Sequence, residues 1–457
     1  MVGIGGVGMS GIAQVLLGQG VRVTGSDAAE NDLIVDIRSR GATIHIGHQA
    51  ENVGAPDVVA YSTAIRPDNP ELAFAREHGI PLAHRSELLA YAVRDQGTIA
   101  VAGTHGKTST SCMLTHVLVA LGEDPTALVG GIEIGMGSNA RLGKGRFAVV
   151  EACESDRSFL NFRPAHAILT NIEADHLDSY SGIDDIIASF EAFLALIPQD
   201  GLLIACADRP NARGTAERSG KRVVTYSVAD AQPAPGTAVD YVARDGEVGA
   251  DGTSFRVDSA RLGHLGAFRT RLVGRHYVGN ATAIIALCTT LGMDREALRG
   301  AIASFRGVSR RFELLGTRDG AVVYDDYAHH PTEIRATLRA AKEGLQRRLI
   351  AVFQPHLFSR TVHLLDEFAT AFGDADLVFI ADIYGSREGP TGPITGAQVA
   401  ERVRDLGRHA DVTYVSGHGP MTDAVAARIE PGDAVFVLGA GDIRSVGLAL
   451  VRGSESA

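Results

Sequence analysis

Cysteine is scarce in this chain of 457 residues. There are four (Cys112, Cys153, Cys206 and Cys288), far apart, with no C-x-x-C pair. That spacing excludes a disulfide framework or a cysteine zinc site, and the four read as reduced thiols of a cytoplasmic protein. Long apolar runs are missing as well. None approaches the roughly 20 residues needed to span a membrane, so no membrane insertion is expected. The apolar start has no basic region and no cleavage pattern, so no signal peptide is read there. Low-complexity tracts and short repeats are absent. Nor is there an excess of positive charge: the net charge is -11. An acidic chain does not hold nucleic acid through its overall field, so anionic ligands must sit in local cradles. The apolar share of 45% and charged share of 21% are those of a soluble globular protein. The length suggests about three domains at about 150 residues each. The 53 glycines fit many tight turns between strands and helices.

One such turn is the most informative stretch. Ile99 to Ala102 reads as a buried strand that breaks at Gly103, and Gly106-Lys107-Thr108 opens a helical pattern through Met113, Val117 and Leu121. Strand, glycine turn and helix make a phosphate cradle. Backbone N–H groups approach the anion, the helix N-terminus adds partial positive charge, Lys107 adds a full one, and Thr108 can hold Mg²⁺. The fit to G-x-x-x-x-G-K-[ST] is imperfect, because Val101 stands where that pattern needs glycine.

The chain divides into three α/β units. Residues 1–93 open with Gly3-Ile4-Gly5-Gly6-Val7-Gly8, followed by a helix at Met9–Leu17 and a strand at Val21–Thr24 leading to Ser26-Asp27. This is the dinucleotide fingerprint. Its first strand would be Met1-Val2 alone, against about five residues for a buried parallel strand, so the native protein is expected to start upstream. Residues 94–308 carry the phosphate loop and strands at Phe147–Val150, Ala167–Thr170 and Leu202–Ala205. Residues 228–262 read as loops and small antiparallel strands, and Asn280–Leu291 as a helix. In residues 309–457, strands at Ala321–Tyr324, Leu349–Phe353, Leu377–Ala381, Val412–Val415 and Ala434–Leu438 alternate with helices, which argues a parallel sheet covered by helices.

Polar residues gather just after these strands. Glu151 follows one beside the phosphate loop and suits Mg²⁺, although a surface Glu is as common there. Thr170-Asn171-Ile172-Glu173-Ala174-Asp175-His176-Leu177-Asp178 follows another. His176 could serve a second cation, for which Mn²⁺ would be the more comfortable choice, or could simply be a hydrogen-bonded capping residue. Asp325-Asp326-Tyr327-Ala328-His329-His330-Pro331-Thr332-Glu333 follows a third. Its adjacent histidines point in different directions and no H-E-x-x-H is present, which argues against zinc and for a substrate or ribose. Arg360, after the strand ending at Phe353, could grip a carboxylate or could be a solvated helix-start arginine.

Taken together, GIGGVGMSG (3–11), GTHGKTS (103–109), EACESDRSFL (151–160), NIEADHLD (171–178), RFE (311–313), DDYAHHPTE (325–333) and the stretch 353–361 occur in this order. They resemble the Mur ligases over essentially the whole chain, and GIGGVGMSG with DDYAHHPTE most resembles the alanine-adding branch. The resemblance implies three domains: a Rossmann-like UDP-sugar-binding domain, a P-loop ATPase-type central domain, and a Rossmann-like C-terminal domain that brings the amino acid. It implies ATP-dependent, ADP-forming ligation of L-alanine to UDP-N-acetylmuramate in cell-wall precursor synthesis, with Mg²⁺ (or Mn²⁺), by a monomer or homodimer. By the family pattern Gly5, Gly6, Gly8, Ser26, Asp27, His48 and Ser62 face the UDP-sugar. Gly103, Thr104, His105, Gly106, Lys107, Thr108 and Ser109 cradle the ATP phosphates. Thr108, Glu151 and His176 hold cations, Asn280 faces adenine, and Arg311 and Asp326 face phosphates and ribose. His329 and Arg360 position alanine, and Lys107 and His176 join them as catalytic residues.

There are departures from the pattern. Leu357 stands where arginine is frequent, which leaves Arg360 with more of the carboxylate binding. Cys153 stands where Asp is usual, and Tyr277 replaces an Asn. No lysine lies between His176 and Lys221, so the carbamylated lysine of some sister enzymes is absent. Two rivals remain: a sister ligase adding another amino acid or a tripeptide, and an NAD-dependent oxidoreductase resting on Gly3–Asp27 alone. A non-catalytic nucleotide sensor is disfavoured by the presence of Lys107, Thr108, Glu151 and His176.

Overall fold

The computed structural model describes residues 1–176, 179–228, 238–407 and 411–453. Leu177 and Asp178, at the end of one motif, lie outside the described residues, as do 229–237 of the stretch read as loops. The protein is mixed α/β, with Rossmann-like parallel sheets and three sheet systems in chain order.

In the first, Thr24–Asp27 pairs in parallel with Thr43–Ile46, and Val59–Tyr61 with Leu82–His84. Val2 lies between the two pairs, bridging to Ser26 and donating its N–H to the Ala60 carbonyl at 2.8 Å. The strand expected at Val21–Thr24 is displaced toward the C-terminus. Its ladder with Thr43–Ile46 runs through Ser26 and Asp27, so these residues sit inside the strand rather than after it.

Among the described residues the central sheet has ten strands. Its middle is parallel: Leu202–Cys206, His166–Leu169, Gly97–Ala102, Phe147–Glu151 and Thr126–Glu133 lie side by side in that order. Gly97–Ala102 is buried on both faces, which is why it reads as an unbroken apolar run. Ile99 and Val101 pack with Met113 and Val117 of the helix Lys107–Ala120. Ala100 and Ala102 face the other way, into a cluster with Phe159, Phe190 and Phe193. That second cluster also takes Ile12 and Leu16 from the helix Val7–Gly18, so the first glycine loop is moored to the central sheet. Strands longer than expected, Tyr241–Gly249, Gly252–Ser259 and Gly263–Thr270, form an antiparallel edge.

The third sheet orders Glu313–Arg318, Ala321–Asp326, Ala434–Leu438, Leu349–Phe353, Leu377–Ile380 and Val412–Tyr414, parallel except for the first. Ala321–Asp326 extends two residues beyond expectation, because Asp325 and Asp326 continue the ladder with Val437 and Leu438. Both carboxyls are therefore buried.

Candidate active site

The phosphate loop leaves the carboxyl end of Gly97–Ala102, where open α/β sheets hold ligands. Gly103 turns at φ 138°, and a Cβ there would lie 2.1 Å from Thr170 Oγ1, so only glycine fits. The neighbouring strand end clamps the loop. His105 N donates to Asn171 Oδ1 (2.8 Å), and Asn171 Nδ2 and Thr170 Oγ1 donate to the His105 carbonyl (3.0 and 2.7 Å). Thr104 N donates to the Asn171 carbonyl at 3.1 Å. Gly106, at φ 82°, then starts the helix. Lys107 Nζ folds back onto the carbonyls of Gly103 (2.6 Å) and Thr104 (2.9 Å) and onto Glu154 Oε1 (3.0 Å). Burial works against its charge, but Glu154, Cys153 and Glu151 together outweigh burial, and the ammonium stays protonated.

Thr108 Oγ1 donates to Glu151 Oε1 at 3.1 Å, and Gly130 N donates to Oε2 at 2.8 Å. A hydroxyl and a carboxylate next to a phosphate loop are the oxygen donors a hard divalent cation takes, so this pair fits one. His176 has different partners. Its Nε2 lies 3.6 Å from Glu154 Oε1 and 3.7 Å from Asp175 Oδ2.

A cavity of about 620 Å³ opens beside the loop. It gathers His105, Gly106, Ser109, Asn280, Arg311 and Asp326, residues far apart in sequence. Asp326 accepts from the N–H groups of Phe312 and Ala328 (2.8 Å each), and burial pushes its carboxyl up to about 6. Tyr277, which departs from the family pattern, also lines this space, as do Asp208 and Arg209, which no motif marked.

The carboxyl ends of the third sheet close over the loop. His105 Nδ1 lies 3.4 Å from Glu333 Oε1, and its Nε2 3.5 Å from Glu173 Oε2. Burial would depress this imidazole, but the two carboxylates outweigh it and raise it to about 9. Thr332 Oγ1 donates to Glu173 Oε2 at 2.8 Å. His105, Glu173 and His330 come close enough to suggest a metal. In this metal-free arrangement His330 Nδ1 accepts from Thr332 N (3.2 Å), which puts its hydrogen on Nε2, and the two carboxylates favour a protonated His105, so both imidazoles would have to give up a proton to bind one.

His329 Nδ1 faces the Tyr327 carbonyl at 2.9 Å, which assigns the hydrogen to Nδ1 and leaves Nε2 with its lone pair. Burial depresses this imidazole to about 3, so it is neutral. Arg360, expected to grip a ligand carboxylate, is buried and already holds one. Its Nε donates to Asp175 Oδ1 (3.1 Å) and Nη2 to Oδ2 (3.4 Å), while Nη1 meets His356 Nδ1 at 3.2 Å. Leu357, with φ 70°, is buried just before it.

At the first glycine loop, Gly5 N donates to Asp27 Oδ2 (2.8 Å), and Gly6 precedes the helix Val7–Gly18. Ser26 Oγ donates to Glu71 Oε2 (2.5 Å) and meets His48 Nδ1 at 3.0 Å. Ser62 follows Val59–Tyr61 in a turn where its carbonyl accepts from Ile65 N. Sequence reasoning missed buried Glu71, which organises this cluster. It also missed Arg85, whose Nη1 would lie 3.4 Å from a Cβ at Gly8 and so adds positive charge at the helix start. Neither belongs to a spacing pattern that would have flagged it.

Two glycine loops at the carboxyl ends of parallel sheets, with a third α/β sheet leaning histidine and arginine over one of them, define a multidomain enzyme of the phosphate-binding α/β class. Three family models cover the chain: "Mur ligase family, catalytic domain" at residues 1–96, "Mur ligase middle domain" at 101–288, and "Mur ligase, glutamate ligase domain" at 310–441. The chain belongs to the Mur ligase family. It is 44% identical over 452 residues to the UDP-N-acetylmuramate--L-alanine ligase of Myxococcus xanthus (strain DK1622), covering 99% of this chain and 94% of that one. To the same-named protein of Anaeromyxobacter dehalogenans (strain 2CP-C) it is 45% identical, covering 98% and 96%. Among solved structures it resembles the UDP-N-acetylmuramate-alanine ligase MurC of Thermotoga maritima, with TM-score 0.83 and 29% identity over 100% of this chain and 98% of that one. The murein peptide ligase of Psychrobacter arcticus 273-4 follows, with TM-score 0.73, 26% identity and the same coverage.

Proposed function

We propose that this chain joins L-alanine to the lactyl carboxylate of UDP-N-acetylmuramate, converting ATP to ADP and phosphate, as a cytoplasmic step in peptidoglycan precursor synthesis. One observation carries the reading: near-full-length likeness to L-alanine ligases coincides with a site where the phosphate loop faces a neutral histidine and a buried arginine.

A carboxylate does not react with an amine directly, because oxide is not a viable leaving group. In the proposed path the lactyl carboxylate attacks the γ-phosphorus, the bond to ADP breaks, and an acyl phosphate forms. The alanine amine then attacks the acyl carbon, and phosphate departs. Lys107 leaves Glu154 for the phosphates and offsets the charge that spreads over the transferring phosphoryl group. Thr108 and Glu151, with His176 toward a second ion, would hold Mg²⁺, which when bound supplies further charge neutralisation. Asn280, Arg311 and Asp326 take the nucleoside end in the cavity. Gly5, Gly6, Gly8, Ser26, Asp27, His48 and Ser62 serve the UDP-sugar. His329 is too weakly basic to store a proton at neutral pH, so its Nε2 accepts a hydrogen bond from the amine and aims it. Arg360 takes the alanine carboxylate. Closure of the third sheet over the loop excludes water from the acyl phosphate.

The test is phosphate release from ATP and Mg²⁺ with UDP-N-acetylmuramate, alone and with L-alanine, glycine, L-serine, D-glutamate or the tripeptide. Release that requires L-alanine is expected. Release with the tripeptide instead would move the chain to the peptide-ligase branch, toward which the Psychrobacter likeness points.

A further inference from the structure

Arg360 and Asp175 come from different sheets and meet as a buried, forked ion pair. The guanidinium Nε and Nη2 reach the two carboxylate oxygens at 3.1 and 3.4 Å, and both side chains are less than a tenth exposed. Two parallel N–H···O bonds are the way an arginine recognises a free carboxylate. Nη1 is turned to His356, so this state leaves no second fork for a ligand. Beyond Asp175, polar contacts run back to the phosphate loop through His176, whose imidazole burial holds toward the neutral form, then Glu154 at 3.6 Å, then Lys107 at 2.9 Å.

We propose that Asp175 is an internal carboxylate that occupies the fork of Arg360 and must yield it to the carboxylate of the incoming amino acid. Asp175 thus acts as a positioning residue that sets the apparent affinity for that substrate. The inference rests on the reading of Arg360 given above. The physical basis is competition between like groups. The Asp175 carboxylate is tethered and always present, so a free amino acid meets an arginine whose charge is already compensated. Removing the internal charge leaves a buried guanidinium unpaired, an unfavourable state that an incoming carboxylate relieves.

The variant that separates charge from shape is Asp175→Asn. The Oδ1 atom that accepts from His176 N (2.7 Å) is retained, so the local turn has its bond, while the charge is lost. In steady-state kinetics of the full chain, the KM for L-alanine is expected to fall about tenfold, the scale of one charge-assisted hydrogen bond. KM for ATP, KM for UDP-N-acetylmuramate and the Mg²⁺ concentration for half-maximal rate are expected to stay within twofold. An unchanged or raised KM for L-alanine overturns the proposal, and a raised value would make Asp175 a receptor for the substrate ammonium instead. If Asp175→Asn folds poorly, Asp175→Ser, which keeps an acceptor hydroxyl, takes its place. Arg360→Gln, measured in parallel, tests the underlying reading. A KM for L-alanine unmoved by Arg360→Gln removes both. A KM raised by Arg360→Gln but not lowered by Asp175→Asn removes only the role of Asp175.

Discussion

Replacing Asn171 with alanine should loosen the phosphate loop while leaving every residue of the loop itself unchanged, Asn171 being part of the neighbouring cavity wall. The side chain makes two bonds to the backbone of one residue: Oδ1 accepts from His105 N at 2.8 Å, and Nδ2 donates to the His105 carbonyl at 3.0 Å. In Asn171→Ala the carbonyl keeps its bond from Thr170 Oγ1, but the His105 N–H loses the Asn171 acceptor. Two hydrogen bonds at about 1 kcal/mol each, plus an unsatisfied amide, amount to about 2–4 kcal/mol of lost loop order. ATP must then restore that order when it binds. At about 1.4 kcal/mol per tenfold, and with part of the loss absorbed by relaxation, the KM for ATP is expected to rise about 10- to 100-fold. The KM values for L-alanine and UDP-N-acetylmuramate should move less than twofold, and kcat at saturating ATP less than tenfold. The assay is phosphate release across an ATP titration, with thermal unfolding to show that the variant is folded. A folded Asn171→Ala with its KM for ATP within twofold of the parent would refute the reasoning, since the loop would then hold its shape without the clamp.

Other consequences follow from the same geometry. Gly103→Ala places a Cβ 2.1 Å from Thr170 Oγ1 at a φ of 138°, so the loop must shift; ATP-dependent turnover should fall at least about 100-fold, and near-normal activity would remove the steric argument. Glu151→Gln removes the carboxylate charge paired with Thr108, so the Mg²⁺ concentration for half-maximal rate should rise about tenfold or more, and EDTA should abolish release in the parent. His105 is raised in the folded state to about 9. Its contribution is therefore complete below about pH 6.5 and is lost as pH rises through about 9. Chemical denaturation should show stability falling between pH 7 and 10, with a smaller fall in His105→Gln; equal slopes would dismiss the link to Glu173 and Glu333. Asp326, raised to about 6, behaves alike at lower pH, its contribution present below about pH 4 and lost as pH rises through about 6. Asp326→Asn should accordingly gain on the parent by about 1–2 kcal/mol between pH 5 and pH 8.

Some of this protein was legible in the order of its residues alone. Ile99 to Ala102 reads as a buried strand and GTHGKT (103–108) as a glycine turn into a helix, because local sterics and periodicity favour both, and the structure has them so. Polar residues crowded after strands announced where the site would lie, since the carboxyl ends of parallel strands are where such groups escape the core. The partners were not legible. Nothing near Arg360 in sequence points to Asp175, 185 positions away, and nothing near Lys107 points to Glu154. Sequence spacing fixes which residues share an element, whereas the meeting of elements from separate sheets is fixed by packing and sheet order. The charge states belong to that second level as well. His329 and His105 are the same residue type, yet burial holds one neutral while two carboxylates hold the other protonated. Burial and neighbouring charge are properties of the assembled fold, so only the tertiary structure decided which histidine is neutral and which one is held protonated between two carboxylates.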